Sequence, residues 1–354
     1  MKILITGGAG FIGSHLLEAL SIPKNELLVF DNFLTGKKEN LITNNNINFV
    51  EDDFGNYDSL NLIKEFNPEV CFHLAAQSSV VVSVNDPLLD FEHNILQPVK
   101  LLKTLLNTDC KKIVFTSSGG TIFGEPDIIP TSEEDFANEP QSPYGVNKKK
   151  LNEIIKSITL DSKLSYSILN LSNVYGPRQD PHGEAGVVSI FASKILKKEM
   201  PIIYGDGLQT RDYIYVKDVV NALLLSSKEE SNLFLNIGTG VETSVNTLLE
   251  IIKYEFSSDI NPIYQNSRIG ELKRSVLNSS AARKKIGWEA QVSINEGIRE
   301  VVNWLKGCCR ASTSANSCGT TSVERSCRRS IKRSNCRRSR IKSRCSRRTS
   351  IKSS

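Results

Sequence analysis

The first thirty residues constrain the fold most. Residues 1–6 (MKILIT) form an apolar strand pattern that runs into Gly7-Gly8-Ala9-Gly10-Phe11-Ile12-Gly13, and SHLLEAL continues with helical spacing. Strand, glycine turn and helix in this order make a phosphate-binding unit. Gly7 and Gly10 let the backbone turn tightly and approach a pyrophosphate, which then lies where free helix amides and the dipole favour negative charge. Gly13 lets the helix pack closely on the strand. A second strand pattern, residues 27–30, ends at Asp31. A carboxylate there accepts hydrogen bonds from ribose hydroxyls and repels a 2′-phosphate, so the expected cofactor is NAD and not NADP.

The unit then repeats. Residues 47–50 read as a third strand ending at Asp52-Asp53, 69–74 as a fourth and 112–117 as a fifth, with helical stretches at 59–66 and 94–106 between them. Alternating strands and helices predict an α/β fold, a Rossmann-type doubly wound parallel sheet. Ligands in such sheets sit beyond the strands' C-terminal ends, where Asp53, Ala75, Ala76 and Ser118 fall. With 354 residues, 39% of them hydrophobic, the chain is long enough for such a core and more. No apolar run approaches the length of a membrane span, and the strand at the N-terminus does not read as a secretory signal.

The net charge of +5 hides an asymmetry. Residues 308–354 hold 14 Lys and Arg against one acid, Glu324, so the rest of the chain is acidic. Cys309, Cys318, Cys327, Cys336 and Cys345 recur every nine residues, which makes this tail a Ser/Arg/Cys nonapeptide repeat. It is too poor in apolar residues to form a core, and its like charges repel, so residues 306–354 are expected to be a disordered tail. A basic arm of this kind binds phosphate backbones, but no aromatic residue interleaves to stack on bases, so nucleic acid is not the expected partner. Only Cys71 and Cys110 fall in the body. Two lone cysteines make no disulfide framework, which points to a reducing cytoplasm.

Tyr144-Gly145-Val146-Asn147-Lys148 opens a further helical pattern, and four-residue spacing puts the Tyr144 and Lys148 side chains one turn apart on one face. An ammonium beside a phenol stabilises its phenolate. A free tyrosine ionises near ~10, so a base working at neutrality needs a depression of roughly three to four units. Lys148 and a positively charged nicotinamide together supply that; neither does so alone.

TGGAGFIGSHL, DNFLTGKKENL, HLAAQSSV, VFTSSGGTIFGEP, SPYGVNK, NVYGPRQDP, GDGLQTRDYIYVKDV and RIGELKRSVLNSSAARKKIGW stand in order over residues 1–305. Together they resemble the extended short-chain dehydrogenase/reductases, and within them the NAD-dependent nucleotide-sugar epimerases of the UDP-glucose 4-epimerase type. The resemblance implies a NAD-binding domain over residues 1–176 with a return segment near 212–238, and a smaller α/β nucleotide-sugar-binding part over 177–305. It makes Tyr144 the base that takes the sugar 4-hydroxyl proton and Lys148 its tuner and ribose ligand. Hydride passes from sugar C4 to a retained NAD and returns on the other face of a 4-keto intermediate. The third catalytic group is Ser118 when counted forward along the strand and Gly119 when counted back from Gly124, because the loop carries one extra residue. Glycine has no hydroxyl, so Ser118 is chosen, with Ser117 and Thr121 close by.

The same resemblance assigns Gly7, Gly10, Phe11, Ile12, Gly13, Asp31, Asn32, Asp53, Phe54, Leu74, Ala75, Ala76, Asn94, Ser117, Tyr144 and Lys148 to the cofactor. It gives Ser118, Tyr144, Asn173, Val188, Tyr204, Arg211, Arg268, Glu271 and Ser275 to the UDP-sugar, and it implies a homodimer. Arginine suits a diphosphate because its planar fork donates two aligned charge-assisted hydrogen bonds. The chain departs from the family pattern with Asn170 in place of an arginine and Phe123 in place of a tyrosine. His15, His73, His93 and His182 show no metal spacing, and His73 is expected to be structural.

Sister enzymes share the oxidising core. Those that eliminate water at C4–C6 or decarboxylate a uronate carry an acid in the segment after the Ser/Thr, whereas here it reads Gly119-Gly120-Thr121-Ile122. That favours hydride out and hydride back, a 4-epimerase. Ser275 is small where the family sets the room around the sugar's 2-substituent, so UDP-N-acetylglucosamine is an expected substrate beside UDP-glucose. A non-catalytic, NAD-sensing binding protein is the contrasting reading, and the Ser118, Tyr144 and Lys148 set argues against it.

Overall fold

Short apolar runs become strands because the central ones are buried on both faces, while the edge strand β3 is only partly covered. β1 (Lys2–Thr6), β2 (Glu26–Phe30), β3 (Ile47–Val50), β4 (Val70–His73), β5 (Lys112–Ser118) and β6 (Ser165–Leu171) join the strand Leu233–Ile237 in a seven-stranded sheet. The order is Leu233–Ile237, β6, β5, β4, β1, β2, β3, and every pair is parallel. A parallel sheet covered on both faces requires continuous hydrophobic strands. Accordingly Ile3, Ile5 and Val29 lie in the core on one face, and Leu4, Leu28 and Phe115 in the core on the other. The computed structural model describes residues 1–135, 138–181, 186–267 and 272–315, with the backbone alone for 310–315. Residues Met1–Val302 form one compact unit.

Helix α1 (Phe11–Leu20) follows β1, and α2 (Tyr57–Phe66) follows β3. After β4 come α3 (Val80–Asn85), α4 (Pro87–Phe91), a π-helical turn at Glu92–Leu96 and α5 (Gln97–Leu105). The helical stretch expected over 94–106 is helical in the structure, but it opens with a π turn. Pro98 has no N–H to donate to the carbonyl one turn back, and the preceding turn widens to π geometry. Helix α6 (Pro143–Thr159) starts at Ser142, whose side chain caps Gly145 N.

The strand order reverses between β1 and β4, and there the chain end of β1 meets the segment after β4. A Cβ on Gly7 would lie 2.7 Å from Ala75 N. This switch point is where an open parallel sheet leaves a crevice for a ligand.

Beyond β6 the chain makes short pairings. Asn173–Tyr175 runs parallel to Tyr213–Tyr215, Ile202–Tyr204 to Ile263–Gln265, and Thr210–Arg211 lies between Thr243–Ser244 and Arg274–Ser275. The last helix, Ile294–Ala315, corrects the expected start of the tail at 306. A helix already nucleated over Ile298, Val301 and Val302, all buried, adds residues at little cost. The repeat from Cys318 onward lies outside the described residues. Among the described residues no helix is long and apolar enough to cross a membrane.

Candidate active site

The glycine turn does what its spacing predicts. Gly7 adopts φ +77°, a conformation closed to ordinary side chains, and a Cβ on Gly13 would strike the Gly7 carbonyl. Gly7 N donates to Phe30 O at 2.8 Å, which ties the turn to β2. Gly10 caps α1 without a side chain and the first turn carries no acid, so the helix amides stay available to an anion. Phe11 and Ile12 open that turn.

Asp31 is buried at the end of β2, where Oδ2 accepts from Ala9 N at 2.9 Å and Oδ1 from Phe33 N at 2.8 Å. The carboxylate's remaining lone pairs suit ribose hydroxyls. Burial raises its pKa, and the backbone donors oppose the rise. Asn32 Nδ2 donates to Asp53 Oδ1 at 2.8 Å, and Phe54 is buried beside them in sequence. Leu74, Ala75 and Ala76 follow β4 at the switch point, Leu74 N donating to Thr6 O. Asn94 donates to Gln77 O and Asp90 Oδ1, leaving its own Oδ1 buried and unpaired. A cradle shaped by absent Cβ atoms, a bare helix terminus and a carboxylate at the second strand's end fit a dinucleotide.

His73 is neutral and structural. Its Nδ1 pairs with Thr6 Oγ1 at 2.7 Å, its ring stacks on Phe115, and burial followed by the Lys148 charge lowers its pKa to about 3. No group of His, Cys, Asp and Glu among the described residues could hold a metal.

Tyr144 and Lys148 are both buried on α6. Ser118, the last residue of β5, is the hydroxyl close enough to the Tyr144 phenol to favour its ionised form. Ser117 is buried with its Oγ unpaired, in register with Asn170, and Thr121 Oγ1 donates to Ser118 O. Of the three hydroxyls near the loop, Ser118 is therefore the one beside the phenol. Lys148 Nζ donates to Thr116 O at 3.2 Å and stands 5.9 Å from the Tyr144 ring centre. Burial pushes Tyr144 up to about 12, with the Ser118 hydroxyl opposing and the Asp90 charge adding. Burial brings Lys148 down to about 8, and Asp90 opposes that. Burial thus holds the phenol toward its neutral form in the absence of a further positive charge.

Across the cleft, a Cβ on Gly120 would lie 3.8 Å from Ser275 Oγ and 3.9 Å from Asn173 Oδ1, so these three border one space. Arg211 and Ser275 are Cα partners on adjacent strands, and Arg211 Nη1 donates to Thr210 O. Tyr204 ends its strand half-buried, and Val188 is buried near the start of the helix Val187–Leu196. Arg268, Glu271 and His182 lie outside the described residues. Asn170, the departure from the family pattern, donates to Asn236 Oδ1 at 3.0 Å on the neighbouring strand.

The sequence reading missed Asp90, Gln77 and Asn147, which meet beside the Tyr144 turn. The sequence carries no local signal that sets Asp90 apart from Asp86 and Glu92 nearby.

Fold and site define an extended short-chain dehydrogenase/reductase: a doubly wound sheet, a glycine turn, and a serine, tyrosine and lysine at the sheet's C-terminal edge. Comparison narrows this. Residues 4–301 match the model of the family described as GDP-mannose 4,6 dehydratase. The chain is 44% identical over 304 residues to a putative UDP-glucose 4-epimerase of Methanocaldococcus jannaschii, covering 86% of this chain and 98% of that one. It superposes with TM-score 0.84 and 41% identity on a UDP-glucose 4-epimerase of Thermotoga maritima solved with UDP-glucose, over 87% of this chain and 100% of that one. A Thermus thermophilus UDP-glucose 4-epimerase in complex with NAD gives TM-score 0.80 and 39% identity, over 87% of this chain and 99% of that one. The chain belongs to this NAD-dependent epimerase/dehydratase family.

Proposed function

We propose that the protein is a NAD-dependent UDP-hexose 4-epimerase. The observation that carries the proposal is the Ser118 hydroxyl beside the buried Tyr144 phenol with Lys148 buried one turn on, set beside a glycine cradle. Tyr144 takes the proton of the sugar 4-hydroxyl, Ser118 holds the same oxygen, and Lys148 holds ribose and favours the phenolate. When bound, NAD supplies a reversible hydride acceptor for C4. The 4-keto sugar, tethered through its diphosphate by Arg211 and Arg268 with Glu271 on ribose, turns over and the proton is returned by Tyr144. Residues 119–122 offer no acid or base, and Thr121 is bonded back to Ser118 O, which supports return of the hydride over elimination or decarboxylation.

The cofactor falls to residues 1–176 and 212–238, and the nucleotide sugar to Asn173, Val188, Tyr204, Ser275 and the rest of 177–305. The space bordered by Gly120, Asn173 and Ser275 supports acceptance of a 2-N-acetyl group. Leu88, Phe91, Leu96 and Val146 are exposed on α4, the π turn and α6, beside a groove of about 490 Å³, and this apolar face supports a homodimer. Buried free thiols at Cys71 and Cys110 agree with a cytoplasmic protein.

The test is incubation of purified protein, without added cofactor, with UDP-glucose and separately with UDP-N-acetylglucosamine. The expected result is an equilibrium mixture of 4-epimers with no net NADH. Accumulating NADH or a product of altered mass would instead favour the dehydratase or decarboxylase chemistry.

A further inference from the structure

Asp90 is fully buried on α4 and enters no ion pair among the described residues. Three amides satisfy it instead. Gln77 Nε2 and Asn94 Nδ2 donate to Oδ1 at 2.6 and 2.9 Å, and Asn147 Nδ2 donates to Oδ2 at 2.7 Å. Asn147 is the α6 residue between Tyr144 and Lys148, and Asn94 is one of the residues given to the cofactor. A buried carboxylate costs several kcal/mol unless paired, so one held only by neutral amides keeps its field for its neighbours.

Those neighbours are few. The elements packed on α4 are α3, the π turn and α6. Helix α3 carries no titratable side chain, the π turn has exposed Glu92 and half-buried His93, and on α6 only Tyr144 and Lys148 among the titratable groups are buried. The Asp90 charge reaches both: it favours the ammonium and opposes the phenolate.

We infer that Asp90 is a positioning residue which, through Asn147, fixes the turn of α6 between Tyr144 and Lys148 and sets a lone negative charge against that pair. The inference rests on the epimerase reading. A 4-epimerase must take a proton and give it back in one turnover. With Asp90 in place, Tyr144 ionises only when an oxidised nicotinamide adds its positive charge to that of Lys148, so it accepts the proton opposite an oxidised nicotinamide and donates it opposite a reduced one.

In Asp90→Asn the new Nδ2 faces an amide donor, so one contact is lost along with the charge. The exchange Asp90→Asn with Asn147→Asp restores every hydrogen bond and moves the charge one bond along. The expected outcome for Asp90→Asn holoenzyme is a fall in kcat of about tenfold, the equivalent of one unit in a proton equilibrium, with KM held within about twofold. The exchange recovers most of the loss. Asn147→Ala, at a half-buried position, lowers kcat likewise and decides the matter if Asp90→Asn fails to fold.

A second readout is independent of turnover. The ultraviolet tyrosinate band, taken as the difference from Tyr144→Phe, is compared in holoenzyme before and after chemical reduction of the bound cofactor. It is expected to vanish on reduction in the wild type and to persist in Asp90→Asn. Equal behaviour of the two proteins, wild-type kcat in the folded Asp90→Asn or Asn147→Ala, or an exchange variant that folds and stays inactive would overturn the inference. A wild type that epimerises no UDP-hexose would instead count against the proposed function.

Discussion

Ser118 closes β5 and Tyr144 opens α6, and the Ser118 hydroxyl stands beside the Tyr144 phenol at the C-terminal edge of the sheet, where it favours the ionised form. No other hydroxyl of the serine loop takes that place: Ser117 is buried with its Oγ unpaired and Thr121 is turned onto Ser118 O.

Removing the phenol should therefore cost most. Tyr144→Phe is expected to lower kcat about a thousandfold, the range of a positioned general base, while bound NAD is retained. Ser118→Ala should lose about a hundredfold, and Ser117→Ala very little. Steady-state kinetics of the three variants check the assignment, and an active Ser118→Ala beside an inactive Ser117→Ala would reverse it.

Cofactor retention should hinge on Asp31. Asp31→Asn keeps the shape but removes the charge and sets an amide against Ala9 N. A hydrogen bond to a charged group contributes about 1.5–3 kcal/mol, so NAD affinity should fall at least about tenfold. The NAD content of the purified variant, read after denaturation, measures it.

Substrate breadth should follow Ser275. Its Oγ borders the space at Gly120 and Asn173, so Ser275→Tyr fills that space. Turnover of UDP-N-acetylglucosamine should drop by about tenfold or more relative to UDP-glucose. The ratio of the two kcat/KM values before and after substitution is the measurement, and an unchanged ratio would place the N-acetyl group elsewhere.

Acid stability should carry the mark of His73. The folded protein holds it neutral down to about pH 3, whereas an unfolded histidine takes up a proton below about pH 6.5. The unfolded state binds the proton first, so stability present above about pH 6.5 declines as pH falls through that window, by about 1.4 kcal/mol per pH unit from this group. Urea unfolding at about pH 7 and about pH 4 should show this slope, and His73→Gln should flatten it.

The sequence by itself determined what is local. A glycine turn between strand and helix, Asp31 at the end of β2, and a tyrosine and lysine one turn apart are each written within a few residues, because backbone sterics and helical spacing act over that range. Alternation of short apolar strands with helices likewise set the parallel sheet. Tertiary structure decided what lies between distant segments. Which serine meets Tyr144 depended on how β5 ends against α6, and a shift of one residue along a strand changes the face a side chain takes. The π turn before α5 needed the missing N–H of Pro98 to be placed in a formed helix. Asp90 reads as an ordinary helix acid until Gln77, Asn94 and Asn147 converge on it, since only packing removes water and leaves amides to satisfy the charge.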